Sequence, residues 1–199
     1  MHGVTQRETA ISRSEYNKAI GRYRLGENIA YHLQFIFYLA LYDKFDMTAR
    51  QMMHLGKKIV ERREVWQNDA DNSITSQSMA VWSKKKKIDV IGWVKSVPMS
   101  QKLYLADVKK GRAVLGADQN IEYALAATMF LTLPILKETY RFSNVKVKEF
   151  MKWVAYYIDS YWRKQPGCKD HFLSDEIIRQ TFIEDEHWDI VTGKKVEKC

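Results

Sequence analysis

Apolar side chains recur along this chain at intervals of three and four, the period of helices that hide one face. Ser14 is a candidate N-cap, and Tyr16, Ile20 and Tyr23 follow at helical spacing. The stripe continues through Ile29, Leu33, Phe35, Ile36, Tyr38, Leu39 and Leu41, with a break expected near Gly26 and an end at 44–46. Thr48 then caps a second helix that carries Met52, Leu55, Ile59 and Trp66 on one face. After a polar turn at 68–73 comes a third element over 75–86. The segment 88–94 (IDVIGWV) fits either a helix or a short strand. Pro98 marks 96–100 as the best linker, followed by a helix over 101–114 and a turn at Gly116. A long apolar helix is expected over 120–140, with Pro134 kinking it or starting a new segment. Ser143 caps the next helix, whose stripe is Val147, Phe150, Val154, Ile158 and Tyr161. The stretch 165–169 breaks that helix, and Ser174 caps a shorter one with Ile177, Ile178, Phe182 and Ile183. The tail beyond Thr192 is polar and is expected to fray. The pattern predicts an all-α fold, a helical bundle.

Two stretches of the pattern match at an offset of 95 positions. Phe35 aligns with Phe130, Leu41 with Leu136, Phe45 with Tyr140, Met47 with Phe142, and Thr48 with Ser143. Downstream, Met52 aligns with Val147, Leu55 with Phe150 and Ile59 with Val154. Each copy reads as an apolar helix, an aromatic, one residue, Met or Phe, a Ser/Thr cap, and an amphipathic helix. The hydroxyl satisfies free N–H groups that open the second helix, and the apolar residue before it staples the first turn. The bend's apolar pair can plug the seam between its two helices. Duplication explains the match, and so does the spacing that any two amphipathic hairpins share. The chain is expected to divide into an N-terminal helical lobe, 1–97, with the basic run, and a C-terminal helical lobe, 98–199, with an acidic C-terminal helix. The two bends, 45–48 and 140–143, resemble an aromatic-x-aromatic-Gly/Ser turn of small helical proteins encoded by phages of Gram-positive bacteria. Asp46 and Arg141 stand where such turns often have glycine. The resemblance implies a mobile-element origin and no particular activity.

Composition narrows the classes. Of 199 residues, 46% are hydrophobic, so a core can form, while nine glycines and three prolines favour long elements over many turns. Two cysteines, Cys168 and Cys199, are too few for a disulfide scaffold. The first residues, MHGVTQRETAISRSEY, hold no apolar signal-peptide core. The apolar runs near 30–41 and 124–136 are shorter than the roughly 20 residues of a membrane span. No membrane association and a cytoplasmic location are expected, the host cytoplasm if the chain is phage-encoded.

The formal net charge is +8, which favours an acidic partner such as nucleic acid. The excess is uneven: residues 1–95 hold 16 Lys/Arg against 10 Asp/Glu, and residues 96–199 hold 16 against 14. Lys84, Lys85, Lys86 and Lys87 form the densest basic run. They are candidates to neutralise phosphates, with Trp82 and Trp93 nearby to stack on bases; the alternative is a solvated helix end where lysines suit the dipole. The second helix displays Arg50, Gln51, His54, Lys57 and Lys58, which suit DNA contact or an ordinary polar face. Trp153, Tyr156 and Tyr157 fall off the main stripe of their helix, marking either burial against the C-terminal helix around Phe182 and Trp188 or a partner interface.

Catalytic signatures are weak. Cys168-x-x-His171 has a permitted ligand spacing, and His187, Asp185 or Glu186 could complete a sketch, but no second pair accompanies it. Ser143 and Ser83 each precede a lysine by three positions, yet the first serves as a cap and the second sits in a charge run. No glycine-rich phosphate loop is present. The sequence therefore predicts no catalytic residues, no metal and no cofactor. The expected function is a non-enzymatic binding protein for nucleic acid or a nucleoprotein complex, for instance a phage or mobile-element regulator or an inhibitor of a host nuclease. Lys84 to Lys87, Arg50, Lys57 and Lys58 would be the phosphate contacts. Alternatives are a protein-interaction module or homo-oligomer using the face of Trp153, Tyr156 and Tyr157, and an enzyme with a site between the hairpins.

Overall fold

The computed structural model describes residues 13–68, 75–106, 117–169 and 171–196. They form eight helices and one small hairpin: α1 (Arg13–Phe45), α2 (Ala49–Asn68), α3 (Ser76–Lys86), α4 (Val90–Ser96), α5 (Met99–Leu105), α6 (Ala117–Glu138), α7 (Asn144–Trp162), α8 (Asp175–Glu186), β1 (Trp188–Asp189) and β2 (Lys194–Lys195). No helix of the described residues is long and apolar enough to cross a membrane.

Local chemistry sets most helix starts. At α2, the Thr48 backbone N–H donates to Gln51 Oε1 at 2.8 Å while Gln51 N–H donates back to the Thr48 hydroxyl at 3.4 Å. Thr75 and Ser78 cap α3 in the same reciprocal way. Ser143 opens α7 and Ser174 opens α8, each accepting a backbone N–H from the first turn. Asp89 decides the ambiguous 88–94 segment. Its carboxylate accepts the Gly92 N–H at 2.7 Å, so the chain turns into α4 and no strand forms.

Three expectations are corrected. α1 runs through Gly26 without a break. A glycine costs a helix interior about 1 kcal/mol, too little to offset a continuous helix whose 29–41 stretch packs on the core. Of the two expectations for Pro134, the start of a new segment is overturned: α6 continues past it, and Pro134 is itself buried. Regular structure also extends beyond Thr192: Trp188 pairs with Lys195 and Asp189 with Lys194 in an antiparallel hairpin. The expected helix over 101–114 is described only as α5, because 107–116 lie outside the described residues.

Helix α1 is the central strut. It packs most extensively along α6 and then along α7, while α2 and α4 also lie on α6. One hydrophobic cluster holds Leu33, Phe37 and Leu41 from the N-terminal half together with Leu133, Phe150 and Val154 from the C-terminal half. The helices of each hairpin touch each other little, and their apolar faces meet the opposite hairpin. The bends show this directly. Phe45 packs on Phe142 and Phe150 with ring centroids 5.1 and 6.3 Å apart, and the Tyr140 hydroxyl donates to the Gln51 carbonyl at 2.8 Å. The aromatics thus plug the seam between hairpins, where most apolar area is available.

The bends also share local geometry. Asp46 and Arg141 both adopt left-handed backbone, with φ of 52° and 56°. Met47 N–H donates to the Leu41 carbonyl at 3.1 Å, and Phe142 N–H to the Leu136 carbonyl at 3.0 Å. These residues stand 95 positions apart, at the spacing of the sequence match.

Gly56 meets a buried neighbour. A Cβ there would lie 2.3 Å from the Tyr38 hydroxyl oxygen but 3.6 Å from the ring carbon that bears it. Gly56→Ala is therefore expected to cost about 1–2 kcal/mol net, because overpacking outweighs the gain of about 1 kcal/mol in helix propensity. In a Tyr38→Phe background the clash is gone, and the same substitution should be neutral or stabilising. A double-mutant cycle in urea checks this; equal effects of Gly56→Ala in both backgrounds would refute the steric coupling.

Candidate functional site

The lysine run lies in the last turn of α3 and its cap. Lys84, Lys85 and Lys86 close the helix, and Lys87 is the C-cap with φ of 56°. Lys84, Lys85 and Lys87 are exposed and Lys86 is half-buried. What fixes the run is a residue from the other half of the chain. Asn144, first in α7, donates its side-chain amide to the Lys86 carbonyl at 2.9 Å, and its amide oxygen accepts from the Lys137 ammonium at the end of α6. The run is thus tied to the second bend, where Arg141 is exposed and Lys146 sits 5.7 Å over the Phe142 ring. The Tyr140–Gln51 hydrogen bond joins that bend to the first, beside exposed Arg50.

One end of the bundle therefore gathers Lys84 to Lys87, Lys137, Arg141, Lys146 and Arg50. Among the described residues none of these cations has a carboxylate within ion-pair distance. Helices α2 and α7 begin here while α1, α3 and α6 end here, so the positive potential comes from the side chains and not from the helix dipoles. Acidic groups nearby are engaged elsewhere or few. Asp89 is occupied as the α4 cap, Glu138 reaches Arg62 at 3.7 Å, and Asp46 lies in the first bend.

The other predicted contacts fall into different settings. Lys57 and Lys58 both face Glu61, at 4.0 and 3.1 Å, so their charge is partly neutralised. Gln51 is used as the α2 capping partner, and His54 Nδ1 lies 3.1 Å from the Tyr140 hydroxyl. Neither tryptophan near the run is presented as a bare platform. Trp82 packs edge-on against Phe130, and the Trp93 indole N–H donates to the Met151 carbonyl at 2.8 Å.

No family model matches the chain, no curated protein matches it, and no solved structure matches it.

The aromatic face on α7 splits. Tyr157 is buried, and its hydroxyl donates to Asp43 near the end of α1. Burial, then the Asp43 hydrogen bond, push the Tyr157 phenol well above its usual value. Lys44, ahead of Tyr157, holds the Asp43 carboxyl below the ordinary range. Trp153 is half-buried with the Lys44 ammonium 4.3 Å over its ring, and Tyr156 is 57% exposed beside it. Phe182 packs against Tyr42 of α1, and Tyr156 stays exposed.

A second polar cluster went unread in the sequence. Asp175 at the start of α8 accepts from the Tyr161 hydroxyl at 3.0 Å and lies 2.9 Å from His32 Nδ1, tying α8 to α7 and α1. Three residues 143 and 14 positions apart carry no local signal of this contact. The metal sketch gathers nothing: His171 Nδ1 contacts the Trp162 carbonyl at 3.0 Å, and among the described residues no three His, Cys, Asp or Glu side chains group as ligands. Lys137, Arg141, Asn144 and Lys146 were also missed. The repeat held the available signal, since it aligns the second bend with the first.

Proposed function

We propose that this protein is a non-enzymatic binding module that grips the phosphate backbone of nucleic acid, alone or within a nucleoprotein complex, through the basic end of the bundle. The single observation behind this reading is the gathering, around Asn144 and the two bends, of eight cations that have no carboxylate partner among the described residues. An unpaired cation cluster is a phosphate-neutralising surface, and each contact releases condensed counterions. The contacts proposed are Lys84 to Lys87, Arg50, Arg141 and Lys146, with Lys57 and Lys58 secondary because Glu61 faces them. The shared bend geometry supports duplication of a hairpin, and the resemblance of the bends to phage proteins suits a mobile-element regulator or an inhibitor of a host nuclease.

The test is fluorescence anisotropy with labelled duplex DNA, single-stranded DNA and structured RNA at low and moderate salt. Binding is expected to weaken steeply as salt rises. Changing Lys84, Lys85, Lys86 and Lys87 to serine should flatten the log–log salt slope on duplex DNA by roughly 2–4, whereas changing Lys57 and Lys58 should alter it by less than about 1. Unchanged binding in the four-serine variant would remove the site assignment. A second reading, a homo-oligomer or protein adaptor, rests on exposed Tyr156 beside Trp153; binding through that face should be indifferent to salt.

A further inference from the structure

A cleft of about 350 Å³ opens between α1, α2 and α6. That volume is at the lower end of small-molecule sites, which run from ~300 to ~1,000 Å³. Its walls include Phe37, Leu55, Ile59 and Leu131. At the rim Arg63 and Glu27 face each other at 4.0 Å, both about half exposed, so the entrance carries no net charge. Such an opening favours a neutral occupant over an ion.

The polar groups in the cleft are specific about what they offer. Tyr38 is buried, and its hydroxyl oxygen accepts from Gln34 Nε2 at 2.7 Å beside Gly56, both lining residues too. Only a glycine leaves room for that oxygen. Thr128 and Thr132 donate their hydroxyls to α6 carbonyls at 2.8 and 2.9 Å, so those protons are spent within the helix. The Tyr38 proton has no acceptor among the described residues. Burial raises the Tyr38 phenol to about 12, which keeps that proton in place across the physiological range.

We propose that this cleft binds a small, neutral, mainly apolar molecule carrying a carbonyl-type acceptor, with the Tyr38 hydroxyl donating to that acceptor. None of the proposed phosphate contacts lines the cleft, so the proposal does not rest on the nucleic-acid reading.

Prodan, a neutral naphthalene with one ketone, is a suitable probe because its emission reports both burial and hydrogen bonding to the carbonyl. Titration of the full chain with prodan is expected to raise the emission and shift it from that of the dye in water. Val60→Trp, at a lining position that is 53% exposed, should block the cleft without disturbing the core and abolish the signal. Tyr38→Phe keeps the ring and should weaken binding by up to about tenfold, the worth of one hydrogen bond, and shift the bound emission further to the blue. Circular dichroism confirms that both variants are folded. Failure of the wild-type chain to take up prodan overturns the proposal, and so does uptake that neither variant changes. Anisotropy with duplex DNA should be unaffected by Val60→Trp, which keeps the two surfaces distinguishable.

Discussion

Phe150→Ala is expected to remove about 3–5 kcal/mol of stability. Phe150 lies in α7 with no exposed surface, and its ring meets Phe37 at 5.4 Å and Phe45 at 6.3 Å, both from α1. The substitution deletes a ring at the junction of the two hairpins and leaves a void that tightly packed helices can close only in part. A domain of this kind has about 5–15 kcal/mol in total, so the variant should unfold at much lower urea. Phe172→Ala, at a position 47% exposed, serves as the reference and should change stability by less than about 0.5 kcal/mol. Because residues from both halves share one cluster, the Phe150 variant should lose near- and far-ultraviolet signals in one transition. Separate transitions, or a loss below ~1 kcal/mol, would contradict the shared core.

Asp189→Asn is expected to cost about 2–3 kcal/mol at neutral pH and to release the C-terminal hairpin. The buried carboxylate accepts from Arg179 Nε and Nη2 at 3.0 and 2.8 Å, from Val191 N–H at 2.9 Å and from the Thr192 hydroxyl at 3.0 Å. Asparagine keeps one acceptor oxygen and replaces the other with a donor, which faces Arg179 unfavourably. The Arg179 hydrogen bond above all, then those of Val191 and Thr192, hold the Asp189 carboxyl far below the usual carboxylate range. A depressed folded value fixes the sign of the pH dependence. The contribution is complete above the unfolded carboxyl value of about 3.9 and fades as pH falls towards the folded one. The stability gap between wild type and variant should thus be constant from pH 7 to 5 and shrink below pH 4. A gap that widens on acidification would contradict the assignment.

Much of this architecture was legible in local patterns, since helix formation depends on neighbours three and four positions away. The stripes of α1, α2, α6 and α7 mark helices, and hydroxyls at Thr48, Ser143 and Ser174 mark their starts because a cap hydrogen bond closes within one turn. The lysine run and the aromatic face were visible as residue types. Which of them share a surface was not. Asn144 meets Lys86 across 58 positions, Tyr140 meets Gln51 across 89, and Tyr157 meets Asp43 across 114. No periodicity encodes such contacts. Gly26 reads as a break because propensity is all that a single segment offers, and packing of α1 against the core overrode it. By itself the sequence determined the helices, their apolar faces and an excess of positive charge. Only the tertiary structure decided that the hairpins pack face to face, that unpaired cations meet at one end, and that a cleft with a buried phenol opens on the side; each depends on distances between segments that the chain's local order does not constrain.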